Sequence, residues 1–500
     1  MDNVIPHFIH GQVFIADNEA GMDVFNPALG KAIGRVHLAR QATCDKAILA
    51  AQAAQLDWAQ TSPAKRARVL FKFRDLLEKY TADLAKIITR ENGKTLADAK
   101  GSVARAIEVV ELYCGLTTAL QGTFSANVAS EINCYTFREP IGICAGISPF
   151  NFPVMVPVWM ILPAIACGNA FILKPSEQDP SAPIRLLELL HEAGLPAGVA
   201  QCVQGDKTTV NYLLEHPAVA AFTAVASTQV AESIYTKATS LGKRAHTFGA
   251  AKNHGVVMPD ADLDFTAHAI VGAAFGSAGE RCMALSVVVV VGTETADTLL
   301  AKLKPLMTAI KIGSGDSADV EMGPLISAAH RDRVIAAIDH GVAEGAELIM
   351  DGRTFKHPDY PLGYFVAPTL FDHVTESMSL YQQEIFGPVL VILRVADLAS
   401  AIALVNRNQF GNGTAIFTED GYSAREYVAR VQVGMVGINV PIPVPIASHP
   451  FGGWKRSAFG DLSMHGVESL RFYTKNKTVT ERWSASSPLH KGTFDMPTHR

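Results

Sequence analysis

The sequence lacks the short signatures by which several classes of enzyme are recognised. It contains no G-x-x-x-x-G-K-[ST] phosphate loop, no G-x-G-x-x-G after an early strand and no H-E-x-x-H zinc motif. A metal hydrolase therefore has no support, whereas a Rossmann-like sheet and a nucleotide ligand do not depend on these motifs. Dense lysine or arginine runs are also missing, and the formal net charge of −5 over 500 residues argues against a nucleic-acid partner.

Cysteine pairs with disulfide or metal-binding spacing are absent as well. The seven cysteines form a scattered set without any C-x-x-C, namely Cys44, Cys114, Cys134, Cys144, Cys167, Cys202 and Cys282. Such a set is typical of reduced thiols in a cytosol-like compartment. The first residues, MDNVIPHFIHGQVF, show neither the features of a secretory signal nor those of an arginine-rich presequence. We therefore expect a cytoplasmic protein without a metal site.

A membrane-spanning helix is not predicted either. The most apolar segment, FNFPVMVPVWMILPAIACGNAFIL, is uncharged but is interrupted by Pro153, Pro157, Pro163 and Gly168. A spanning helix needs about 20 uninterrupted apolar residues. The segment is therefore predicted to form a buried helix followed by a buried strand, and no membrane partner is expected.

Short apolar runs alternate with helix-length segments along most of the chain. After Pro140 these runs are IGICAGI, NAFILK, AQCVQ, AAFTAV and HGVVMP, and a second series after Cys282 includes LSVVVVVG, VLVILRV and GMVGINV. Such alternation indicates parallel sheets covered by helices on both faces. The sequence thus predicts an α/β protein with two parallel-sheet domains. The stretch GTFSANVASEINCYTFREP fits neither series and is predicted to be an extended arm.

One cysteine differs from the other six in its surroundings. Cys282, in SAGERCMALS, directly follows Arg281, and a neighbouring cation lowers the pKa of a thiol and favours the reactive thiolate. Gly276 and Gly279 permit close approach of the backbone to a ligand. From the residues alone, Cys282 is either a nucleophile or a core cysteine, because free cysteine is among the most buried residue types.

Two segments place polar side chains just after predicted strands. Lys174 and Glu177 follow one strand, and the carboxyl ends of strands in open α/β sheets are where nucleotides bind. The alternative is a solvated loop. Asn151 follows another strand and precedes a helix, where its amide either donates to an oxyanion or caps the helix. The residues alone leave these alternatives open.

Five motifs occur in an order and spacing that resemble the aldehyde dehydrogenase superfamily: SPFNFP, ILKPSE, GSAGERCMALS, EIFGPVL and FGGWKRS. Within it, GERCMALS, AKNHGVVMPDADLD, GSVARAIEVVE and the closing FGDLSMHGVESLRFYTKNKTVTERW are most similar to the coenzyme A-acylating methylmalonate-semialdehyde dehydrogenase branch. The resemblance implies an α/β fold with two Rossmann-like parallel-sheet domains and a β-arm for oligomerisation. The implied parts are an NAD-binding domain at 1–121 and 141–249, a catalytic domain at 250–438, an arm at 122–140 and 460–483, and a tail at 484–500.

The resemblance also implies the roles of individual residues. Cys282 would attack the aldehyde as a thiolate, while the side-chain amide of Asn151 and the backbone N–H of Cys282 would hold the oxyanion. The implied cofactor-binding residues are Phe150, Lys174, Glu177, Ser227, Glu384 and Phe386. Of these, Lys174 and Glu177 would hold the adenosine ribose, Ser227 the pyrophosphate, and Glu384 and Phe386 the nicotinamide end. The carboxylate of Glu177 would repel a 2′-phosphate, which favours NAD over NADP.

The second half of the reaction separates two branches of the superfamily. Hydrolytic members use the glutamate of an ELGGK motif to activate water, and the matching stretch here is TFGAAKN, in which Thr247 is read at the glutamate position. A threonine hydroxyl is no base near neutral pH, so the thioacyl enzyme is expected to react with coenzyme A and give propionyl-CoA or acetyl-CoA with loss of CO₂. One alternative is a hydrolytic enzyme whose base is Glu280 or Glu384, and the other is a catalytically weak binding protein.

Two arginines match the substrate-binding positions of the family. Arg105 and Arg281 can each bind a carboxylate in a forked geometry, which suits the acid end of a small malonate-type semialdehyde. The alternative for Arg105 is a surface ion pair with Glu108 or Glu111.

The sequence departs from the family pattern at two positions close to the ligands. Ala226 and Ala250 stand where the family has glycine, and an added methyl group alters how closely the backbone approaches a ligand. The resemblance therefore implies either methylmalonate semialdehyde or the neighbouring malonate semialdehyde as the substrate. The arm and the strand near residues 472–480 imply pairing between subunits, so a homo-oligomer, either a dimer or a tetramer, is expected.

Overall fold

The computed structural model describes residues 4–129 and 131–483, so the predicted tail at 484–500 lies outside the described residues. The α-helices are α1 Gln41–Gln60, α2 Pro63–Lys79, α3 Thr81–Asn92, α4 Leu96–Cys114, α5 Leu116–Ala119, α6 Met155–Ala166, α7 Ser181–Glu192, α8 Lys207–Glu215, α9 Thr228–Ser240, α10 Leu263–Phe275, α11 Thr293–Ala309, α12 Ala328–Ala343, α13 Ser379–Gln382, α14 Leu398–Arg407, α15 Gly421–Arg430 and α16 Gly466–Phe472. A 3₁₀ helix spans Gly276–Gly279.

The strands are short, as the sequence pattern indicates. They are β1 Val4–Ile5, β2 His7–Ile9, β3 Gln12–Phe14, β4 Ala20–Asn26, β5 Lys31–Leu38, β6 Thr123–Ala129, β7 Ile132–Pro140, β8 Ile143–Ile147, β9 Ala170–Lys174, β10 Ala200–Cys202, β11 Val219–Val225, β12 Arg244–Phe248, β13 Asn253–Val257, β14 Leu285–Val291, β15 Glu347–Met350, β16 Thr369–Asp372, β17 Val389–Val395, β18 Phe410–Gly411, β19 Gly413–Phe417, β20 Met435–Ile438, β21 Trp454–Lys455, β22 Ala458–Phe459 and β23 Thr474–Arg482.

The first large sheet is parallel at its centre. Its strand order is β22-β12-β11-β8-β9-β10-β2-β3, with β12 to β10 parallel and the outer strands antiparallel. Successive side chains face different cores: Cys144 of β8 lies in the cluster with α4 and α6, whereas Ile143 and Ala145 lie in the cluster with α1 and α8. This two-sided burial explains why the strand reads as a continuous apolar run.

The second large sheet has the order β15-β16-β17-β14-β13-β19-β20 and is parallel from β16 to β20. The run HGVVMP forms β13 in this sheet, although the sequence pattern groups it with the first series. The strand that follows β11 in the first sheet is instead β12, which pairs with β11 in parallel. Apolar alternation identifies a buried strand but does not identify the neighbour with which it pairs. The two parallel sheets confirm the predicted α/β fold class.

The predicted arm is an antiparallel sheet. Strands β6 and β7 pair with each other, and β23 pairs with β7 along its whole length within the same chain. The range 460–483 is not uniformly extended, because residues 466–472 form α16. Aromatic side chains on the arm are exposed, with Phe124 at 64% and Phe137 at 37%. The domain boundaries and the role of the arm in oligomerisation stay predictions.

The long apolar segment folds as predicted into a buried helix and a buried strand. Every residue of α6 and of β9 is buried. Within the part of the chain that the structure describes, no helix is both long enough and apolar enough to cross a membrane. The two smaller remaining sheets, β1-β5-β4 and β18-β21, lie outside the two large ones.

Candidate active site

A cavity of about 800 Å³ opens at the carboxyl ends of β8, β9 and β11. The last residues of these strands, Ile147, Lys174 and Val225, line it, and this edge is where open parallel sheets bind ligands. Most of the predicted site residues line the same wall, namely Phe150, Asn151, Lys174, Glu177, Ser227, Cys282, Glu384 and Phe386, together with Ala226 and Ala250. The structure therefore brings together side chains that are far apart in the sequence.

Cys282 lies in a tight turn between the 3₁₀ helix and β14. Ser277 and Ala278 have φ values of 50° and 52°, which are unusual for residues with side chains and often occur near functional sites. The side-chain amides of Asn253 and Asn412 donate to the Cys282 carbonyl oxygen at 3.0 and 3.1 Å. These bonds fix the backbone of the turn and hold the sulfur at the cavity wall.

The two glycines of the turn approach the chain itself. A Cβ atom at Gly276 would lie 2.3 Å from Nη1 of Arg281, and one at Gly279 would lie 2.2 Å from the carbonyl oxygen of Gly387. The sequence predicts that the backbone at these glycines approaches a ligand, whereas in the structure it approaches other atoms of the protein. A larger residue at Gly279 is also disfavoured by its φ of +76°.

The thiol of Cys282 is protonated at neutral pH in the free protein. Burial raises the pKa of Cys282 to about 12, and the negative charge of Glu384 acts in the same direction. The backbone N–H groups of Cys282 and Met283 and the ammonium group of Lys94 lower this pKa. Arg281 is not the activating cation, because its guanidinium group pairs with Asp98 at 2.7 Å.

Alkylation of Cys282 by iodoacetamide is expected to be slow at pH 7. Because only the thiolate reacts and the pKa lies near 12, the rate should rise about tenfold per pH unit up to pH 10. Cys134 is the other partly exposed cysteine, so its reaction, measured in Cys282→Ser, gives the background rate. A rate at Cys282 that has already reached its plateau at pH 7 would contradict this description of its environment.

Asn151 lies beside the turn that carries the nucleophile. Its Nδ2 donates to the carbonyl oxygen of Glu280 at 2.9 Å, and an amide nitrogen carries a second N–H. The ammonium group of Lys94 donates to the backbone carbonyl of Asn151 and lies 4.2 Å from the ring centroid of Phe152. Sequence reasoning did not identify Lys94, because it lies 57 residues from Asn151 and belongs to no motif that indicates a ligand.

Polar residues follow β9 and β11 at the cavity wall. Lys174 Nζ donates to Glu177 Oε2 at 2.6 Å. Ser227 is the N-cap of α9, and its side chain makes no capping hydrogen bond within the described residues. The first N–H groups of a helix bind phosphate groups, which agrees with the pyrophosphate position predicted at Ser227.

Glu384, Phe386 and Phe150 also line the cavity, and Glu384 and Phe386 line a smaller pocket together with Cys282. Glu384 Oε1 accepts the backbone N–H of Ala251 at 2.8 Å, and burial raises the pKa of Glu384 to about 7. Phe386 has a φ of 57°, and its carbonyl oxygen accepts a hydrogen bond from His330 Nε2 at 2.7 Å. The rings of Phe150 and Phe386 meet edge to face at 5.9 Å.

Helix α12 supplies part of the cavity wall that sequence reasoning missed. His330, Arg333 and His340 of this helix line the cavity. The residues belong to no motif named above, and their helical spacing is equally compatible with a solvated surface. Only the folded position of α12 identifies them.

Glu280 is turned away from the cavity. Its carboxylate accepts the backbone N–H of Ile326 at 3.1 Å and lies 3.5 Å from His330 Nε2, and burial raises its pKa to about 8. Of the two bases considered for a hydrolytic reaction, Glu384 lines the cavity and Glu280 does not.

Phe248, and not Thr247, is the residue at the end of β12 that belongs to the apolar cluster against which Cys282 packs. The Thr247 hydroxyl donates to the carbonyl oxygen of Ala231 in α9 at 2.8 Å, on the opposite face of the sheet. Phe248 belongs to the same apolar cluster as Met283, and Cys282 packs against this cluster. The Thr247 assignment is therefore wrong by one residue, and a shift of one residue in a strand reverses the face. Phe248 supplies no carboxylate.

The two predicted substrate arginines pair with acidic residues. Arg105 Nη1 bonds Glu108 Oε2 at 2.5 Å and Nη2 bonds the Pro445 carbonyl oxygen at 2.6 Å, so the predicted surface ion pair is present. Arg281 pairs with Asp98, and neither arginine lines the large cavity. Their role as a carboxylate clamp stays a prediction.

Two largely parallel sheets and a large cavity lined by the partly exposed thiol of Cys282 define an α/β protein with a candidate thiol active site. A model described as the aldehyde dehydrogenase family matches residues 14–479. The chain belongs to the aldehyde dehydrogenase family, which confirms the resemblance seen in its motifs.

Individual relatives agree with this assignment. The chain is 52% identical over 491 residues to the malonate-semialdehyde dehydrogenase of Pseudomonas aeruginosa, covering 98% of this chain and 99% of that protein. It is 46% identical over 480 residues to the malonate-semialdehyde dehydrogenase of Bacillus pumilus, with 96% and 98% covered. A solved structure from Sinorhizobium meliloti, described as a methylmalonate-semialdehyde dehydrogenase complexed with NAD, has a TM-score of 0.96 at 49% identity, with 97% and 99% covered.

Proposed function

We propose that this aldehyde dehydrogenase oxidises malonate semialdehyde or methylmalonate semialdehyde with NAD and transfers the acyl group to coenzyme A, giving acetyl-CoA or propionyl-CoA and CO₂. The names of the relatives support the substrate class, and the NAD-bound relative supports the cofactor. The observation that carries the transfer to coenzyme A is the apolar side chain of Phe248 where a hydrolytic member has a carboxylate. The loss of CO₂ follows from the assigned substrate alone.

In the first half of the reaction, Cys282 gives up its proton to solvent in the open cavity and attacks the aldehyde carbon as a thiolate. The second N–H of the Asn151 amide and the backbone N–H of Cys282 stabilise the negative charge on the aldehyde oxygen. Bound NAD supplies the hydride acceptor. The carbon that loses its hydride becomes the carbonyl of a thioester on Cys282.

The residues of the cavity fit an NAD molecule. The N-terminus of α9 at Ser227 offers N–H groups to phosphates, and the Lys174–Glu177 pair offers a carboxylate to ribose hydroxyls. Glu384 and Phe386 line the same cavity as Cys282. These contacts would place the reactive end of the cofactor next to the thioester carbon.

Glu177→Gln is expected to raise the preference for NADP over NAD. Removing the carboxylate removes the repulsion of a 2′-phosphate, so the ratio of kcat/KM for NADP to that for NAD should rise about tenfold. Glu188→Gln is the matched control, since Glu188 is equally exposed at 35% and pairs with Arg185 three residues away, as Glu177 pairs with Lys174. An unchanged ratio in Glu177→Gln would remove Glu177 from the cofactor site.

In the second half of the reaction, the thioester needs an external nucleophile. Cys282 packs against the apolar cluster that contains Phe248 and Met283, and the Glu280 carboxylate bonds the backbone N–H of Ile326 and does not line the cavity. A thiol such as that of coenzyme A attacks a thioester carbonyl readily, so acyl transfer does not require a carboxylate to activate water. We therefore favour the acyltransferase over the hydrolytic alternative.

Steady-state turnover with and without coenzyme A tests the proposed function. With malonate semialdehyde and NAD, we expect sustained NADH formation and acetyl-CoA only when coenzyme A is present, with products identified by mass spectrometry. Equal turnover to a free acid without coenzyme A would instead support a hydrolytic enzyme with Glu384 as its base, a role that Glu384→Gln would then test.

Assembly and location are part of the same proposal. The exposed aromatic residues of the arm, Phe124 and Phe137, support a homo-oligomer, either a dimer or a tetramer, because an exposed sheet edge with apolar side chains favours association. A monomer in light scattering at micromolar concentration would contradict this. All seven cysteines are unpaired, which supports a reducing, cytoplasmic location.

A further inference from the structure

Lys94 is a buried ammonium group that the proposed reaction does not use. It is 2% exposed, donates to the backbone carbonyl oxygen of Asn151 and lies against the ring of Phe152. Burial of a charged amine is unfavourable and lowers its pKa. Because burial of the ammonium group is unfavourable, packing alone does not explain why a lysine lies beside Asn151.

The backbone at Lys94 is held in place by close contacts with the segment between α11 and α12. Gly93 has a φ of +93°, and a Cβ atom at Gly315 would lie 2.3 Å from the carbonyl oxygen of Lys94. A Cβ atom at Gly323 would lie 2.1 Å from the carbonyl oxygen of Gly93, and Leu96 N–H donates to Gly315 at 3.0 Å. The glycines let two segments meet without side chains between them. The backbone from which the Lys94 side chain extends is therefore held in place, and the hydrogen bond to Asn151 and the ring of Phe152 hold its ammonium group.

Charges around Lys94 connect it to the turn that carries Cys282. The carboxylate of Asp98 favours the charged form of Lys94, and the guanidinium group of Arg281 opposes it. Asp98 also bonds the hydroxyl of Ser277 and the guanidinium group of Arg281, both in the turn before Cys282. The charged groups that act on the Cys282 sulfur are Glu384, which disfavours the thiolate, and Lys94, which favours it.

We propose that Lys94 is a positioning residue that holds the Asn151 backbone through its hydrogen bond to the Asn151 carbonyl oxygen, so that the Asn151 amide faces the developing oxyanion. This inference rests on the roles proposed above for Cys282 and Asn151. Lys94 itself touches neither the aldehyde nor the cofactor in this arrangement. It acts through the carbonyl of Asn151.

Two substitutions separate the hydrogen bond of Lys94 from its charge. Lys94→Met removes both the donor and the charge, whereas Lys94→Gln keeps an N–H donor for the Asn151 carbonyl and removes only the charge. Both should lower the rate of Cys282 alkylation at pH 9 by about tenfold, as expected for a thiol pKa raised by one unit. Lys94→Met should lower kcat by about 10- to 100-fold, with part of this loss recovered in Lys94→Gln. The KM for NAD should stay within about twofold of wild type in both.

Lys243→Met is the matched control. Its ammonium group also bonds backbone carbonyls, those of Leu214 and His216 at 2.6 Å each, and it does not line the cavity. This variant should lose some thermal stability while its alkylation rate and kcat stay unchanged. If Lys94→Met does not fold, the kcat of Lys94→Gln decides: a loss of less than about 10-fold supports the inference, and a larger loss overturns it.

The outcomes distinguish this inference from the proposed function. A wild-type kcat in Lys94→Met would overturn the inference, and so would a loss of kcat with no recovery in Lys94→Gln, since a structural role or the charge alone would give that pattern. If Cys282→Ser or Asn151→Ala remained fully active, the proposed function itself would fail, whatever Lys94 does.

Discussion

Cys282→Ser is expected to lower kcat for aldehyde oxidation by at least about 10⁴-fold, because a serine hydroxyl is a much weaker nucleophile than a thiolate and cannot replace it. The fold and the rest of the cavity wall should be preserved, since oxygen is smaller than sulfur. NAD binding, measured by isothermal calorimetry, should therefore stay within about twofold of wild type.

Cys134→Ser is the control for this substitution. Cys134 is the other partly exposed cysteine and lies on the arm, in β7, away from the cavity. Its loss should leave kcat unchanged. An active Cys282→Ser enzyme, or an inactive Cys134→Ser enzyme, would show that the nucleophile has been assigned to the wrong residue.

Asn151→Ala is expected to lower kcat by about 10²- to 10³-fold, which is the usual effect of removing one oxyanion donor. The hydrogen bond from Asn151 Nδ2 to Glu280 is lost as well, but the Cys282 backbone stays held by Asn253 and Asn412. The alkylation rate of Cys282 should therefore change little. Pre-steady-state NADH formation measures the affected step directly.

The control for Asn151→Ala is Asn406→Ala. The amide of Asn406 also donates to a backbone carbonyl, that of Arg430 at 2.9 Å, on the surface of the molecule. This variant should retain wild-type kcat. If Asn151→Ala lowered alkylation as strongly as kcat, the amide would support the turn that carries Cys282 and would not be an oxyanion donor.

The fold follows from the sequence to a large extent because its strands are buried on both faces. The runs that form β8, β9 and β14 are apolar except at Lys174, which ends β9, and Ser286 in β14, so their extent can be predicted without any knowledge of their neighbours. The pairing of the strands depends on contacts between distant segments. For that reason the sequence pattern predicts β13 correctly as a strand but groups it with the wrong sheet.

A second feature that the sequence does not determine by itself is the face of the sheet toward which a strand residue points. Thr247 and Phe248 are adjacent in the sequence, and motif comparison alone placed the wrong one toward the thiol. The structure resolves this through the bond from Thr247 to Ala231 and the packing of Phe248 with Met283. The chemical conclusion survives, because neither residue offers a carboxylate.

A third feature that the sequence does not determine by itself is the direction in which a long side chain points. Arg281 is adjacent to Cys282 in the sequence, yet its guanidinium group turns to Asp98. The cation that does favour the thiolate is Lys94, far away in the chain and unrelated to any cysteine motif. Asn253 and Asn412, which hold the Cys282 carbonyl, lie 29 and 130 residues from it. Such contacts depend on tertiary packing, which sequence periodicity does not encode.

The most direct test of the central claim is a single-turnover experiment without coenzyme A. Enzyme, NAD and malonate semialdehyde are mixed rapidly, NADH is followed by absorbance, and the peptide that contains Cys282 is then analysed by mass spectrometry. The proposed function predicts one NADH per chain, an acyl group on Cys282, and no further turnover until coenzyme A is added. Continued NADH formation with release of free acid and an unmodified Cys282 would contradict it.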